Sequence, residues 1–344
     1  MSEQRKVIAM KKVLIVNVNW LGDAIMMTPA IEALKSKYPE AFLAIMGVER
    51  IKEVFDDNPY VDEFICFNEK TTQRSFFAKL RFISLLKSKN FDTVFLIQRS
   101  FTRALICFLA GIGTRIGFKR VKNNLILTQR IDPPATGTHR QEHYLRLFQA
   151  SGIEITDKQP CVYLDNQISA KAIARLGVLH KNFSHLIGIH VGANWDLKRW
   201  PVDSFACVCD RLTKELKVAI VFFGSEKDKD LVGSVLLKMK EKAYNFCETT
   251  TLKELAAIIR LLQLFISADS GPAHLSGSLG TPTLVLFGPT SEKISSPIGG
   301  GVKILRKDID CEIPCYKLNC KDNVCMKSIT IEDVFDQSKS MLGL

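Results

Sequence analysis

Three short segments of this chain carry residue types able to act on a phosphorylated ligand. The first, Ser267-Ala268-Asp269-Ser270-Gly271-Pro272-Ala273-His274, joins an apolar strand to a helix through a small Gly-Pro turn. The first amides of such a helix have no partner inside it, and with the helix dipole they make an anion site. Gly271 lets a phosphate approach the backbone, Pro272 pre-sets the first helical turn, and His274 falls one turn in. Asp269 is repelled by phosphate, so it is expected to cap the helix or to hold amides and a ribose in place. The diphosphate of a nucleotide-linked donor, a nucleotide sugar, suits this set.

The second segment runs from His190 to Pro201. Gly192-Ala193-Asn194 is a small loop at a strand end, able to wrap a phosphate, and Lys198 and Arg199 supply cations just before a helix. Two cations beside a diphosphate would stabilise a departing nucleotide without metal. The third is Trp20-Leu21-Gly22-Asp23, an acid in the first helical turn after a glycine turn. Asp23 there is equally a dipole partner and a base for an acceptor hydroxyl, kept ionised by the positive helix end.

Other candidates are weaker. His139 and His143 stand four apart on a helix, but the His-Glu-x-x-His order of zinc proteases is absent, which favours a surface or interdomain role. Cys311, Cys315, Cys320 and Cys325 could form a tetrahedral zinc site, although their spacings miss the usual Cys-x2-Cys pairs. The other cysteines (66, 107, 161, 207, 209, 247) lie in or beside apolar segments and read as buried thiols.

These segments need elements to hold them. Lys12 to Val18 is a short β-branched run without polar alternation, as in a strand buried on both faces. A helix is expected from Asp23 to just before Pro39, followed by strands at 42–46 and 93–97 and helices at 76–86 and 102–110. The second half restarts the pattern, with strands at 184–190, 218–223, 264–267 and 282–289 and helices near 201, 228–240 and 252–262. The fold class is therefore α/β: two Rossmann-like, doubly wound domains facing each other across a cleft, where open parallel sheets bind ligands. The division expected is 1–168, 169–328, and a terminal helix at 329–344 returning to the first domain.

The totals agree with a two-domain globular chain of 344 residues, 47% of them hydrophobic. The longest apolar stretch, 104–113, is far short of the ~20 residues of a membrane span, and the N-terminus lacks a signal-peptide pattern. A cytoplasmic protein is expected. The net charge of +11 is concentrated in two acid-free stretches of the first half. They are either solvated faces or a surface for an anionic substrate or leaflet; no nucleic-acid module accompanies them.

Together the motifs resemble the ADP-heptose:lipopolysaccharide heptosyltransferases of glycosyltransferase family 9. The resemblance is carried by Trp20-Leu21-Gly22-Asp23 with Thr28-Pro29-Ala30, Lys198-Arg199-Trp200-Pro201, Asp269 to His274, and Leu286-Phe287-Gly288-Pro289-Thr290, in that order. It implies a GT-B fold and an inverting, metal-independent transfer needing no cofactor. The first domain would take a lipopolysaccharide-core acceptor at the inner face of the inner membrane, and the second ADP-heptose. By the same resemblance Asp23 is the general base and Lys198 contacts the donor phosphates. Gly192, Ala193, Asn194, Arg199, Asp269, Ser270, Gly271 and His274 line the donor, Asp228 lies near the nucleoside and Thr250 near the adenine. Asn194 departs from a hydroxyl residue common in relatives. Another nucleotide sugar, another acceptor, or a non-catalytic nucleotide-binding module remain alternatives. A dehydrogenase is disfavoured, since no Gly-x-Gly-x-x-Gly follows the first strand.

Overall fold

The computed structural model describes residues 10–315, 317 and 319–344. The chain divides into two compact units, Met1–Lys158 and Gln159–Leu344. Each contains one six-stranded, wholly parallel sheet.

In the first unit the strands are β1 (Lys12–Val16), β2 (Phe42–Gly47), β3 (Glu63–Cys66), β4 (Thr93–Leu96), β5 (Thr114–Phe118) and β6 (Gln129–Ile131). Their order across the sheet is β3-β2-β1-β4-β5-β6. In the second they are β7 (Leu186–His190), β8 (Ala219–Phe223), β9 (Ala243–Asn245), β10 (Leu264–Ala268), β11 (Thr283–Leu286) and β12 (Val302–Leu305), ordered β12-β11-β10-β7-β8-β9. Counted from the first strand of each unit, both sheets run 3-2-1-4-5-6. That is the doubly wound order, and it reverses between the first and fourth strands. The two switch points are thus β1/β4 and β7/β10, and the three segments singled out above all leave β1, β7 or β10.

The central strands are continuous apolar runs because helices cover both faces. β7, β8 and β10 are buried at every position, and so is β1 except at Lys12. Around the second sheet packs a core that includes Trp200, Phe205, Phe222, Val334 and Phe335. The Trp200 indole donates to the Ile329 carbonyl at 2.9 Å, which satisfies its one polar atom inside that core.

Several expectations change. The helix foreseen from Asp23 to Pro39 is two helices, Leu21–Met26 and Thr28–Lys37, because Pro29 has no amide to continue the ladder and starts a new first turn. The terminal helix, Ile331–Leu342, belongs to the second unit and packs there on the helix Val202–Leu216. Its Val334 and Phe335 complete the second core, and Arg211 holds Glu332 at 2.7 Å. Of the six cysteines read as buried, Cys107, Cys209 and Cys247 are so, Cys161 is half-buried, and Cys66 and Cys207 are exposed. Cys207 and Cys209, two apart on one helix, fall on different faces. No helix among the described residues is long and apolar enough to cross a membrane.

Candidate active site

The donor segment is built where β7, β10 and β11 end. Asp269 directly follows β10 and is buried. Its Oδ2 accepts from Lys198 Nζ, in the loop after β7, and from Thr290 Oγ1, in the loop after β11, both at 2.7 Å. One carboxylate oxygen therefore ties three strand ends together across the switch point. This corrects the expected role of Asp269. The cap position of the helix Gly271–Ser278 belongs to Ser270, and Asp269 is the anchor of Lys198.

Ser270 makes no side-chain hydrogen bond to its helix among the described residues; its hydroxyl pairs with Ser267 Oγ at 2.8 Å. The first-turn amides are left for a ligand, with Gly271 and Pro272 in the first turn and His274 buried one turn in. The Lys198 ammonium keeps two further donors beyond the one given to Asp269. Cation and helix start are thus held on adjoining loops, which suits a diphosphate.

Gly192, Ala193, Asn194 and Arg199 lie in the loop after β7. A methyl group on Gly192 would overlap the Asp228 carboxylate, coming 2.7 Å from its Cγ. The missing side chain of Gly192 thus makes room for Asp228. Asp228 Oδ2 in turn accepts from Ser225 N and Oγ at 2.9 and 2.8 Å, and Gly224 gives it room on the other side. His190, buried beside this group, hydrogen-bonds the Phe223 carbonyl, and burial pushes its pKa down. Arg199 turns back onto its own loop, donating to the Ala193 carbonyl at 3.0 Å and pairing with Asp196 at 2.8 Å. Of the two foreseen cations only Lys198 is brought to the Asp269 turn. Asn194 is exposed. Thr250 is half-buried, one residue before the Thr251 capping box that opens the helix Leu252–Ile259.

In the first unit Asp23 sits in the first turn after β1 and is 5% exposed. Arg140 donates to its Oδ1 at 3.2 Å, and the Tyr144 hydroxyl hydrogen-bonds its carboxylate. Burial first, then the Asp23 charge, holds the Tyr144 phenol far above its ordinary pKa, so it stays a donor. Arg103, fully buried, reaches across the switch point from the helix after β4. It donates to the Asn17 carbonyl and to Asn19 Oδ1, both at 2.9 Å, which fixes the turn that presents Asp23.

Arg103, Arg140 and Tyr144 escaped the sequence reading. A signal existed for two of them: Arg140 and Tyr144 stand four apart, which places them on one helix face. On the same helix His139 is the cap, its ring accepting from Gln141 N at 3.2 Å. His143 contacts Arg99, and the two rest on Phe118. The late cysteines do not assemble a metal centre: no group of three or more His, Cys, Asp or Glu is placed to hold an ion among the described residues. Asn323 intervenes, its backbone N–H donating to Cys320 Sγ and its Oδ1 accepting from Cys325 Sγ.

Known proteins match this chain in sequence and in fold. A lipopolysaccharide heptosyltransferase 2 from Salmonella typhimurium is 25% identical over 309 residues, 86% of this chain and 88% of the relative. A lipooligosaccharide heptosyltransferase 2 from Campylobacter jejuni is 26% identical over 330 residues, 94% and 96% of the two chains. Among solved structures, a glycosyl transferase family 9 protein from Veillonella parvula superposes with a TM-score of 0.85 at 22% identity, covering 98% of this chain and 99% of that one. The E. coli ADP-heptose lps heptosyltransferase II does so with a TM-score of 0.80 at 22% identity, covering 96% and 98%. The two parallel sheets are those of the GT-B fold. With a family model matched over residues 79–324, the chain belongs to glycosyltransferase family 9 (heptosyltransferase) and is a glycosyltransferase.

Proposed function

We propose that this enzyme moves a heptose from ADP-heptose to an anionic, lipid-linked saccharide of the lipopolysaccharide core, with inversion at the anomeric carbon. The observation that carries the reading is that each Rossmann unit presents a nearly buried carboxylate at its switch point, and each carboxylate is suited to a different task. Asp23 is held by groups that a hydroxyl can displace. Asp269 is locked to the cation and helix start that suit a diphosphate. The names of the relatives, which act on lipopolysaccharide or lipooligosaccharide, support heptose as the sugar and a core saccharide as acceptor.

In this reading Asp23 takes the proton of the acceptor hydroxyl while its oxygen attacks the anomeric carbon from the face opposite the diphosphate. The anomeric C–O bond breaks, and its electron pair leaves on ADP. Lys198 and the first amides of the helix Gly271–Ser278 meet the charge that grows there, the part a metal ion plays elsewhere. Ser270, Gly271 and His274 line the diphosphate and sugar. Gly192, Ala193 and Asn194 shape the loop beneath them, which Arg199 braces. Asp228 and Thr250 lie towards the nucleoside and adenine. On the acceptor side Arg99, Arg120 and Arg140 form a cationic group around Tyr144 and His143 that suits phosphate or carboxylate substituents. The reaction would take place at the cytoplasmic face of the inner membrane.

Asp23→Asn tests the assignment. Transfer is expected to fall by about 10²–10⁴-fold, the usual worth of a positioned base, with ADP binding unchanged by calorimetry. Loss of ADP binding in parallel would make Asp23 a structural residue and sink the reading. Thermal stabilisation by ADP above UDP and GDP is expected from the same preparation.

A further inference from the structure

The exposed apolar groups of this chain are not scattered. Among the described residues fifteen large hydrophobic side chains are exposed, and nine of them fall between Phe76 and Leu125. The helix Phe76–Ser88 buries only Phe82 and Leu86; Phe76 and Phe77 on its other side are 70% and 73% exposed. It packs on the helix Phe101–Leu109, which packs in turn on the short turn Val121–Asn123. Val121 and Leu125, in and beside that turn, are 94% and 95% exposed. The apolar groups thus belong to three adjoining elements of one unit.

Charge singles out the same stretch. Residues 70–131 hold thirteen Lys or Arg and one acid, Asp92. That is a local excess of +12 inside a total of +11, so the rest of the chain nets −1. Asp92 is occupied inside the fold, accepting from the Lys11 and Lys12 amides at 2.9 and 2.6 Å. Arg74, Arg81, Lys87 and Lys122 are exposed. Carboxylates from outside the stretch meet two of its cations, Lys89 through Glu63 at 2.5 Å and Lys119 through Asp132 at 2.7 Å. The folded surface therefore sets aromatic and aliphatic side chains among cations that outnumber the nearby acids. Apolar groups enter the acyl boundary while the cations meet anionic headgroups, which is the composition of an interfacial helix. A second copy of the chain fits poorly, because the remainder of the chain nets only −1 to meet this +12.

We propose that the helix Phe76–Ser88, with the 121–125 turn, is the surface by which this enzyme docks on an anionic lipid bilayer. The inference gives a place to the lipid-linked acceptor of the reading above, and it rests on that reading only for its purpose. Vesicle binding requires neither donor nor turnover, so failure of docking and failure of the transferase reading are told apart.

The test is co-sedimentation of the full chain with phosphatidylcholine vesicles, with and without about one-third phosphatidylglycerol. Binding is expected only with the anionic lipid and is expected to weaken as salt rises. Phe76→Ser with Phe77→Ser should weaken it by about tenfold or more, and Arg81→Glu with Lys87→Glu to a similar degree. All four side chains are exposed, so melting temperatures should stay at the wild-type value, which guards against misfolding. Undiminished binding by the Phe variant, or equal binding to neutral vesicles, overturns the proposal. So does tighter binding to an RNA oligonucleotide than to the anionic vesicles, which would make the cations a nucleic-acid surface.

Discussion

The Lys198–Asp269 pair predicts an asymmetry that unfolding measurements can read. The ammonium is 22% exposed and the carboxylate 6%, and Asp269 Oδ2 also accepts from Thr290. Lys198→Ala leaves a nearly buried carboxylate with one neutral hydroxyl donor. Breaking a buried pair in this way costs about 3–5 kcal/mol, and the Thr290 bond with the partial exposure of Lys198 reduces this to about 2–3 kcal/mol. Asp269→Asn leaves an ammonium that can turn to water, and its amide oxygen still accepts from Thr290, so about 1 kcal/mol is expected. The double variant should then be as stable as Asp269→Asn, a coupling of about 2–3 kcal/mol in a double-mutant cycle by urea unfolding. Transfer should behave differently. If Lys198 stabilises the departing diphosphate, the double variant regains stability and stays as inactive as Lys198→Ala, down about 10²-fold or more. Recovery of transfer together with stability would show that Lys198 only neutralises Asp269, and would refute the leaving-group role.

Two further outcomes follow from the same geometry. Gly192→Ala must displace Asp228 from the Ser225 cap, so a loss of about 1–3 kcal/mol and weaker ADP binding are expected; Gly177→Ala, where a methyl meets nothing within 4 Å, is the control and should be neutral or stabilising by up to about 1 kcal/mol. Burial first, then Arg99, lowers the His143 pKa to about 4, below its unfolded value near 6.5. The unfolded chain therefore takes the proton first: His143 leaves stability untouched above pH 6.5 and weakens it as pH falls from 6.5 towards 4. The ring is half-buried and screened, so about 1 kcal/mol is expected, and His143→Asn should flatten that part of the stability–pH curve.

The sequence made legible what is local. A β-branched run, a glycine turn and a helix are written within a few residues, and so β1, β7, β8 and β10 with the turns at Asp23 and Asp269 could be read directly. The short outer strands could not: β6 and β9 are three residues each and show no continuous burial. The groups that set the two carboxylates were hidden for a different reason. Arg140 lies 117 residues from Asp23, Arg103 lies 86 from Asn17, and Lys198 lies 71 from Asp269. Only the order of strands in the sheet brings such groups together. For Arg199 the sequence shows the charge but not its hydrogen bond, which runs to backbone six residues away.

On the proposed reading, in which Asp23 is the base, the two carboxylates also explain how one fold can place a base and an anchor with the same residue type. Both are almost fully buried, 5% for Asp23 and 6% for Asp269, and both have a cation and a hydroxyl as partners. The difference lies in the partners' freedom. Lys198 is mostly buried and bonds at 2.7 Å, with Thr290 on the same oxygen, so separating the pair would strand charge in a place water hardly reaches. Arg140 is half exposed and bonds Asp23 at 3.2 Å, so an incoming hydroxyl can take its place while the guanidinium returns to water or to an anionic group on the acceptor. Tyr144 stays beneath Asp23 as a neutral donor, keeping the carboxylate oriented whether or not Arg140 has moved. A base has to exchange its partner for substrate, and an anchor must not. The strength and burial of the cation, rather than the carboxylate itself, set the two roles apart.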